Sequence, residues 1–214
     1  VARSPSDHFA KVRSLGGTLI AMLALRASMR AVTYVVHRVT RPPAGEIDGQ
    51  QLTAMRMVEG GLLGIENLVT LVAMITFLVW IHGVFVAIRA SGRTTSWSPG
   101  WAVGGWFIPL ANAVLPWLTV RDALKSLGKP TALAGVWWIA WLLVIPLTML
   151  QTFMRQLMIL PELGAALRDL PPDVTNRIFE LSSSLFWPHF LLDTGVWVLL
   201  LLIVSTVRNA AARR

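Results

Sequence analysis

Four long apolar runs constrain this chain more than any other feature. They lie at about Ser14 to Val36, Leu62 to Ala90, Ala134 to Leu160 and Leu185 to Val207. An α-helix needs ~20 mostly apolar residues to cross the hydrocarbon of a bilayer, and each run is at least that long. The second is long enough to tilt or to project at one end. Lipid offers no partner to a backbone N–H or C=O, so spanning segments of this kind are helices. The expected fold class is therefore all-α: a polytopic transmembrane helix bundle, one integral membrane domain over residues 1–214. The charged content supports this, at 14% against about 25% for soluble domains.

A fifth apolar stretch, Ser98 to Val120, reads SPGWAVGGWFIPLANAVLPWLTV. It either crosses as a kinked fifth span or dips in and returns. Positive charge arbitrates, because Lys and Arg collect on the cytoplasmic side. With a full crossing and a cytoplasmic N-terminus, the inside holds eight Lys or Arg and the outside nine. With a re-entrant hairpin the inside holds eleven, including Arg89, Arg93, Arg121, Lys125, Lys129 and Arg208, and the outside six. Five spans stay the alternative; the charge bias favours four spans plus the hairpin. Pro99, Trp101, Trp106, Pro109, Asn112 and Pro116 mark its frame, with Pro109 expected at the tip, where a helix must break. Two arms of about eleven residues would each reach ~16 Å, half a bilayer. Asn112 is the polar side chain near the tip, expected to cap a broken helix end.

The segment after the dip, LPWLTVRDALKSLGKP, reads as a short amphipathic helix, with Gly128 as the residue after its C-cap and Pro130 as a stop. It would present Arg121, Lys125 and Lys129 to an anionic lipid surface. Asp48 and Asp173 are expected N-caps of helices that start before the membrane does. The N-terminus has the layout of a signal peptide, with Arg3, Lys11 and Arg13 ahead of an apolar run. That run continues to Val36, so an uncleaved first span is expected.

Ionisable residues inside spans are costly and usually face protein or water. Those that stand out here are Arg26, Arg30, Glu66 and Asp193. Their depths pair Arg26 with Asp193 near the midplane, and Arg30 with Glu66 nearer the outer end. Arg26, Arg30, Thr33 and His37 fall on one helical stripe, flanked by Tyr34. Thr70 lies a turn from Glu66, and His189 a turn from Asp193. The expected site is an intramembrane polar cluster of Arg26, Arg30, Tyr34, His37, Glu66, His189 and Asp193. It reads as register-fixing ion pairs, as a solute or proton path, or as a place for a ligand or a partner's charge.

Catalytic signatures are missing: no G-x-S-x-G, H-E-x-x-H, Walker sequence or Rossmann glycine pattern. No catalytic residue, cofactor site or metal site is expected. The absence of cysteine rules out disulfides and thiolate ligands. A haem or chlorin on His37, His82 or His189 is the remaining cofactor reading, and a hydrogen-bonded histidine is the ordinary one. The net charge of +8 fits a basic cytoplasmic rim, and no nucleic-acid motif accompanies it.

The block WSPGWAVGGWFIPLANAVLPWLTVRDALKS resembles the signature region of a bacterial multi-pass membrane family classed only as a domain of unknown function. That family shows S-P-G-W-A-V-G-W-W-F-I-P-x-A-N, then P-W/Y and V-R-E/D. Matching residues include Ser98, Pro99, Gly100, Trp101, Trp106, Phe107, Ile108, Pro109, Asn112, Pro116, Trp117, Arg121 and Asp122. Gly105 stands where tryptophan is commoner, and is expected to leave extra room. The resemblance implies a helical membrane layout and no assigned activity. The expected role is non-enzymatic: an accessory or scaffold subunit, with the lipid bilayer and other membrane subunits as partners. The alternative is a small-solute or ion transporter or channel. The expected setting is a bacterial inner membrane, with both termini cytoplasmic; Arg over Lys, 16 to 3, is a weak pointer to a GC-rich bacterium.

Overall fold

The computed structural model describes residues 4–39, 49–159 and 184–213, together with Pro171, Val174 and Arg177. The described residues form helices and no strands. In chain order they are α1 (Pro5–Val39), α2 (Gly49–Ala90), α3 (Pro99–Gly104), α4 (Pro109–Asn112), α5 (Leu115–Ser126), α6 (Ala132–Ile159) and α7 (Phe186–Ala212). Among them α1, α2, α6 and α7 are long and apolar enough to cross a membrane. These four correspond to the four expected spans.

The helices outrun the apolar runs. The chain opens α1 well before Ser14 because Ser4 and Asp7 cap each other's backbone. The Asp7 N–H donates to Ser4 Oγ at 3.3 Å, and the Ser4 N–H donates to Asp7 Oδ2 at 3.0 Å. This reciprocal pair satisfies N–H groups that a helix start leaves without partners. α2 has 42 residues, about 63 Å, against a hydrocarbon core of ~30 Å. Its apolar part is Gly60–Ala90, so its first turns extend beyond that part. The expected caps Asp48 and Asp173 lie outside the described residues. Pro146 sits inside α6, and the helix runs on through it.

The chain divides into two compact units: Val1–Thr131 with Leu201–Arg214, and Ala132–Leu200. In the first, α1 and α2 pack antiparallel. The buried stripe of α1 is Phe9, Val12, Gly16, Leu19, Leu23 and Arg26; that of α2 includes Glu66, Ala73, Phe77, Trp80, Val84 and Ala87. Both repeat every three or four residues, the spacing that lets ridges on one helix enter grooves on the other at a shallow angle. Gly16 permits a close approach of α1 to α2. A Cβ there would lie 3.1 Å from the indole nitrogen of Trp80 and 3.7 Å from Val204 and Arg208 side chains. The C-terminal turns of α7 therefore pack on the N-terminal half of α1, and the two described chain ends lie at the same end of this unit as Ala90.

The second unit pairs α6 with the first half of α7, also antiparallel. Gln151 Nε2 donates to the Leu185 carbonyl at 3.0 Å, and Thr148 Oγ1 and His189 Nε2 share a hydrogen bond of 2.9 Å. Trp138 stacks on Trp141 with centroids 4.8 Å apart, and Trp137 tilts against Trp138 at 5.5 Å.

Candidate functional site

Two polar constructions stand out in the first unit: a charged cluster within α1 and α2, and the mouth of the 98–120 hairpin. The cluster centres on Glu66, only 4% exposed. Its Oε1 lies 3.4 Å from Arg30 Nη1 and 3.9 Å from Arg26 Nη2. The Nε–H of Arg26 donates to Thr70 Oγ1 at 3.0 Å, and the Thr70 hydroxyl donates to the Glu66 carbonyl at 2.8 Å. The expected Arg30–Glu66 pair is present. What depth counting in the sequence missed is that Arg26 shares the same carboxylate, with Thr70 orienting its guanidinium. Antiparallel packing explains it, because Arg26 and Arg30 are successive turns of α1 facing successive turns of α2.

Tyr34 is half-buried on α1. His37 lies in α1, its side chain outside the described residues. Asp193, which depth pairs with Arg26, belongs to the second unit. There its Oδ1 accepts from the indole N–H of Trp197 at 3.2 Å. His189 and Asp193 are both buried, one turn apart. The Thr148, Gln151 and Trp197 contacts carry no sequence signature, since each depends on a neighbouring turn or on which face of α6 meets α7. His82 is exposed on α2, and the His189 ring is engaged by Thr148.

The stretch 98–120 is broken into α3, α4 and the first half of α5, none longer than 12 residues. Ser98 caps α3 by accepting from the Trp101 N–H at 3.3 Å, with Pro99 in the first turn. The break falls at residues 105–108, and Pro109 opens α4, where its missing N–H costs nothing. The tip thus lies just before Pro109. Pro116 takes the corresponding place in the first turn of α5 and is buried. Trp106 packs edge-on against Phe77 at 5.3 Å. Phe77 lies thirteen residues before α2 ends, about 20 Å along its axis. Trp101, Phe107, Ile108, Leu110 and Val114 are exposed, Leu110 at 90%. α3 spans only ~9 Å, shorter than the expected arm. Asn112 does not cap: its Oδ1 is buried without a hydrogen-bond partner among the described residues, and neither α4 nor α5 has a side-chain N-cap bond.

Gly105 corrects an expectation. It leaves no extra room, because Leu115 occupies the space. A Cβ on Gly105 would lie 2.8 Å from both Cβ and Cδ1 of Leu115, closer than carbon atoms pack. The glycine allows the two arms to touch.

The mouth of the hairpin is stitched by Asp122. Its Oδ2 accepts from the Ser96 N–H at 2.8 Å and the Trp97 N–H at 3.2 Å, and its Oδ1 from the Ser96 hydroxyl at 3.3 Å. The chain therefore leaves this point at Ser96 and is back by Asp122. A straight fifth helix would separate these residues by ~39 Å. Arg89 reinforces the start of the hairpin, donating to Thr95 Oγ1 and to the Trp97 carbonyl. At the far side, Gly128 takes φ +70, its N–H meets the Lys125 carbonyl and that of Lys129 meets Leu124. This is the expected glycine stop of α5, in Schellman form. Gly92, at φ +77, ends α2 the same way. On the outer face of α5, Arg121 and Lys125 are exposed, Lys129 is half-buried, and the Arg121 guanidinium lies 5.6 Å from the Trp117 ring.

Four apolar helices, a buried ion-pair cluster and a short broken hairpin define the class: an integral membrane protein of α-helical, multi-pass type. More particularly, the chain belongs to the family described as Domain of unknown function (DUF4328), which it matches over residues 44–166. That range holds α2, the hairpin and α6. No curated protein and no solved structure matches the chain. The family match accords with the resemblance carried by the Ser98–Asp122 block.

Proposed function

We propose that the protein is a non-enzymatic accessory or scaffold subunit of a larger membrane assembly. The observation that supports this reading is the outward face of α2. Val58, Ile65, Leu68, Val72, Ile75 and Val79 are exposed along it at three- and four-residue spacing. Gly60, Gly61 and Gly64 add a notch with no described atom within 4 Å of where a Cβ would stand. In lipid, helices associate by close backbone packing at small residues rather than by hydrophobicity. A notch beside a regular apolar stripe suits a spanning helix of another subunit. Gentle purification from the native membrane, followed by mass spectrometry, tests it. Stable co-purification of other membrane proteins is expected, lost on Gly61→Leu and Gly64→Leu; a lone monomer would remove the reading's main ground.

The same proposal sets the protein in a bacterial inner membrane with both termini cytoplasmic, and has 98–120 dip into the bilayer from that side. The Asp122 stitch, the ~20 Å reach to Phe77 and the charge bias support it. Single cysteines at Ser6, Ser96 and Ala212, in a chain without native cysteine, are expected to react with impermeant reagent only from the cytoplasmic face. Labelling of Ala212→Cys from outside would overturn the topology.

A transporter or channel is the second reading. Two buried polar atoms in the charged region favour it: Glu66 Oε2 and Thr33 Oγ1 have no hydrogen-bond partner among the described residues. Such atoms suit a small polar guest. Flux in proteoliposomes abolished by Glu66→Gln, with assembly intact, would select this reading over the first.

A further inference from the structure

A cavity of about 510 Å³ opens beside the Asp122 stitch, between the loop that follows α2 and the last turns of α5. Arg93, Thr94, Ser96, Asp122, Lys125 and Ser126 line it. The charges there are not equally occupied. Both oxygens of Asp122 are taken up by the Ser96 and Trp97 N–H groups and the Ser96 hydroxyl. Its negative charge is directed into the loop backbone. Arg93 donates one Nη1 hydrogen to the Ser126 carbonyl at 2.6 Å, which holds the guanidinium in the cavity wall. Its other N–H groups have no acceptor among the described residues. The Lys125 side chain is exposed and bonds to no described residue. The hydroxyl of Thr94 is a further donor at the rim. The cavity thus has one anchored cationic donor, one mobile cation and a carboxylate that is already satisfied.

We propose that this cavity binds the phosphate of an anionic phospholipid headgroup, with Arg93 and Lys125 as its cationic ligands. The planar guanidinium fork matches phosphate oxygens, and a lysine adds a mobile point charge. The lipid source follows from position. The cavity adjoins the end of α2 at Ala90, where its apolar run stops. On the neighbouring face of α5, Arg121 lies over Trp117, the pairing of basic and aromatic side chains that suits a headgroup layer. The hairpin's exposed Phe107, Ile108 and Leu110 offer acyl chains an apolar surface. The site thus anchors one lipid at the mouth of the hairpin, on its own geometry and independently of any subunit partner.

The test uses the delipidated full-length protein in mild detergent. It is titrated separately with phosphatidylglycerol, phosphatidylcholine and inorganic phosphate, and bound species are counted by native mass spectrometry. Phosphatidylglycerol is expected to bind at one preferred site, well ahead of phosphatidylcholine. Lys125→Gln should weaken it about fivefold without changing thermal stability, since the Lys125 ammonium makes no structural bond. The double variant with Arg93→Gln should lose about 25-fold, if the two add. Arg121→Gln and Lys129→Gln, outside the cavity, should change it less than about twofold. Unchanged binding in Lys125→Gln overturns the site. Equal losses in Arg121→Gln overturn it too, in favour of diffuse surface attraction. Inorganic phosphate that competes at equal concentration overturns the lipid assignment and leaves a soluble phosphate compound as the ligand.

Discussion

Glu66 and Asp122 are both carboxylates in the first unit, yet they are used in opposite ways. Glu66 lies within the apolar part of α2 and holds two arginines of α1. Asp122 lies at the edge of the hairpin and holds backbone N–H groups of a loop. At Glu66 the surroundings are apolar, so a lone charge is very costly and opposite charges must be supplied together. At Asp122 part of the hydration is retained, and the carboxylate acts as a capping group that closes a loop. Ion pairs set the register of helices where water is absent; backbone capping sets the path of a chain where water is near.

This contrast is sharpest under mutation. The largest effect is expected at Glu66. Glu66→Ala leaves Arg26 and Arg30 without their shared carboxylate, and should cost about 3–5 kcal/mol, read as loss of folded yield in detergent. Replacing Glu66, Arg26 and Arg30 together by methionine should recover most of it, because an apolar replacement carries no uncompensated charge. If Glu66→Ala folds as well as the parent, the cluster is not a register device.

Gly105→Ala comes next. Its Cβ would meet Leu115 at 2.8 Å, and overpacking of this kind costs about 1–3 kcal/mol. The companion change Leu115→Gly, which removes both clashing atoms, should relieve part of the loss in melting temperature. Failure of that rescue would mean that the two arms are not held by this contact. Asp122→Ala should cost about 1–3 kcal/mol, by leaving loop N–H groups without an acceptor. It should also raise the reactivity of a cysteine at Ser96, whereas Glu66→Ala should not. Equal reactivity in both variants would dissolve the distinction between the two carboxylates.

The smallest effect is expected in the second unit. Thr148→Val removes the hydroxyl that meets His189 and should cost about 1 kcal/mol, measurable as a small shift of the thermal midpoint. A loss as large as that of Glu66→Ala would place a second essential polar centre there.

The sequence alone determined the existence and order of the four long helices, because a ~20-residue apolar run has essentially one way to satisfy its backbone in lipid. It determined the family, through a block dense in Trp, Pro and Gly at specific spacings. It also determined the stop of α5 at Gly128, since positive φ is readily available to glycine. The Arg30–Glu66 pair was legible from depth. Tertiary structure decided that Arg26 joins the same carboxylate, because helix rotation sets which turns face each other and depth counts do not contain it. It decided that Leu115 fills the space at Gly105, an outcome of how two short arms meet. It decided that Asp122 closes the hairpin: residues 26 positions apart come together only once the chain has turned back. Local propensity and solvent set what each segment becomes; contacts between segments set which of its polar atoms find one another.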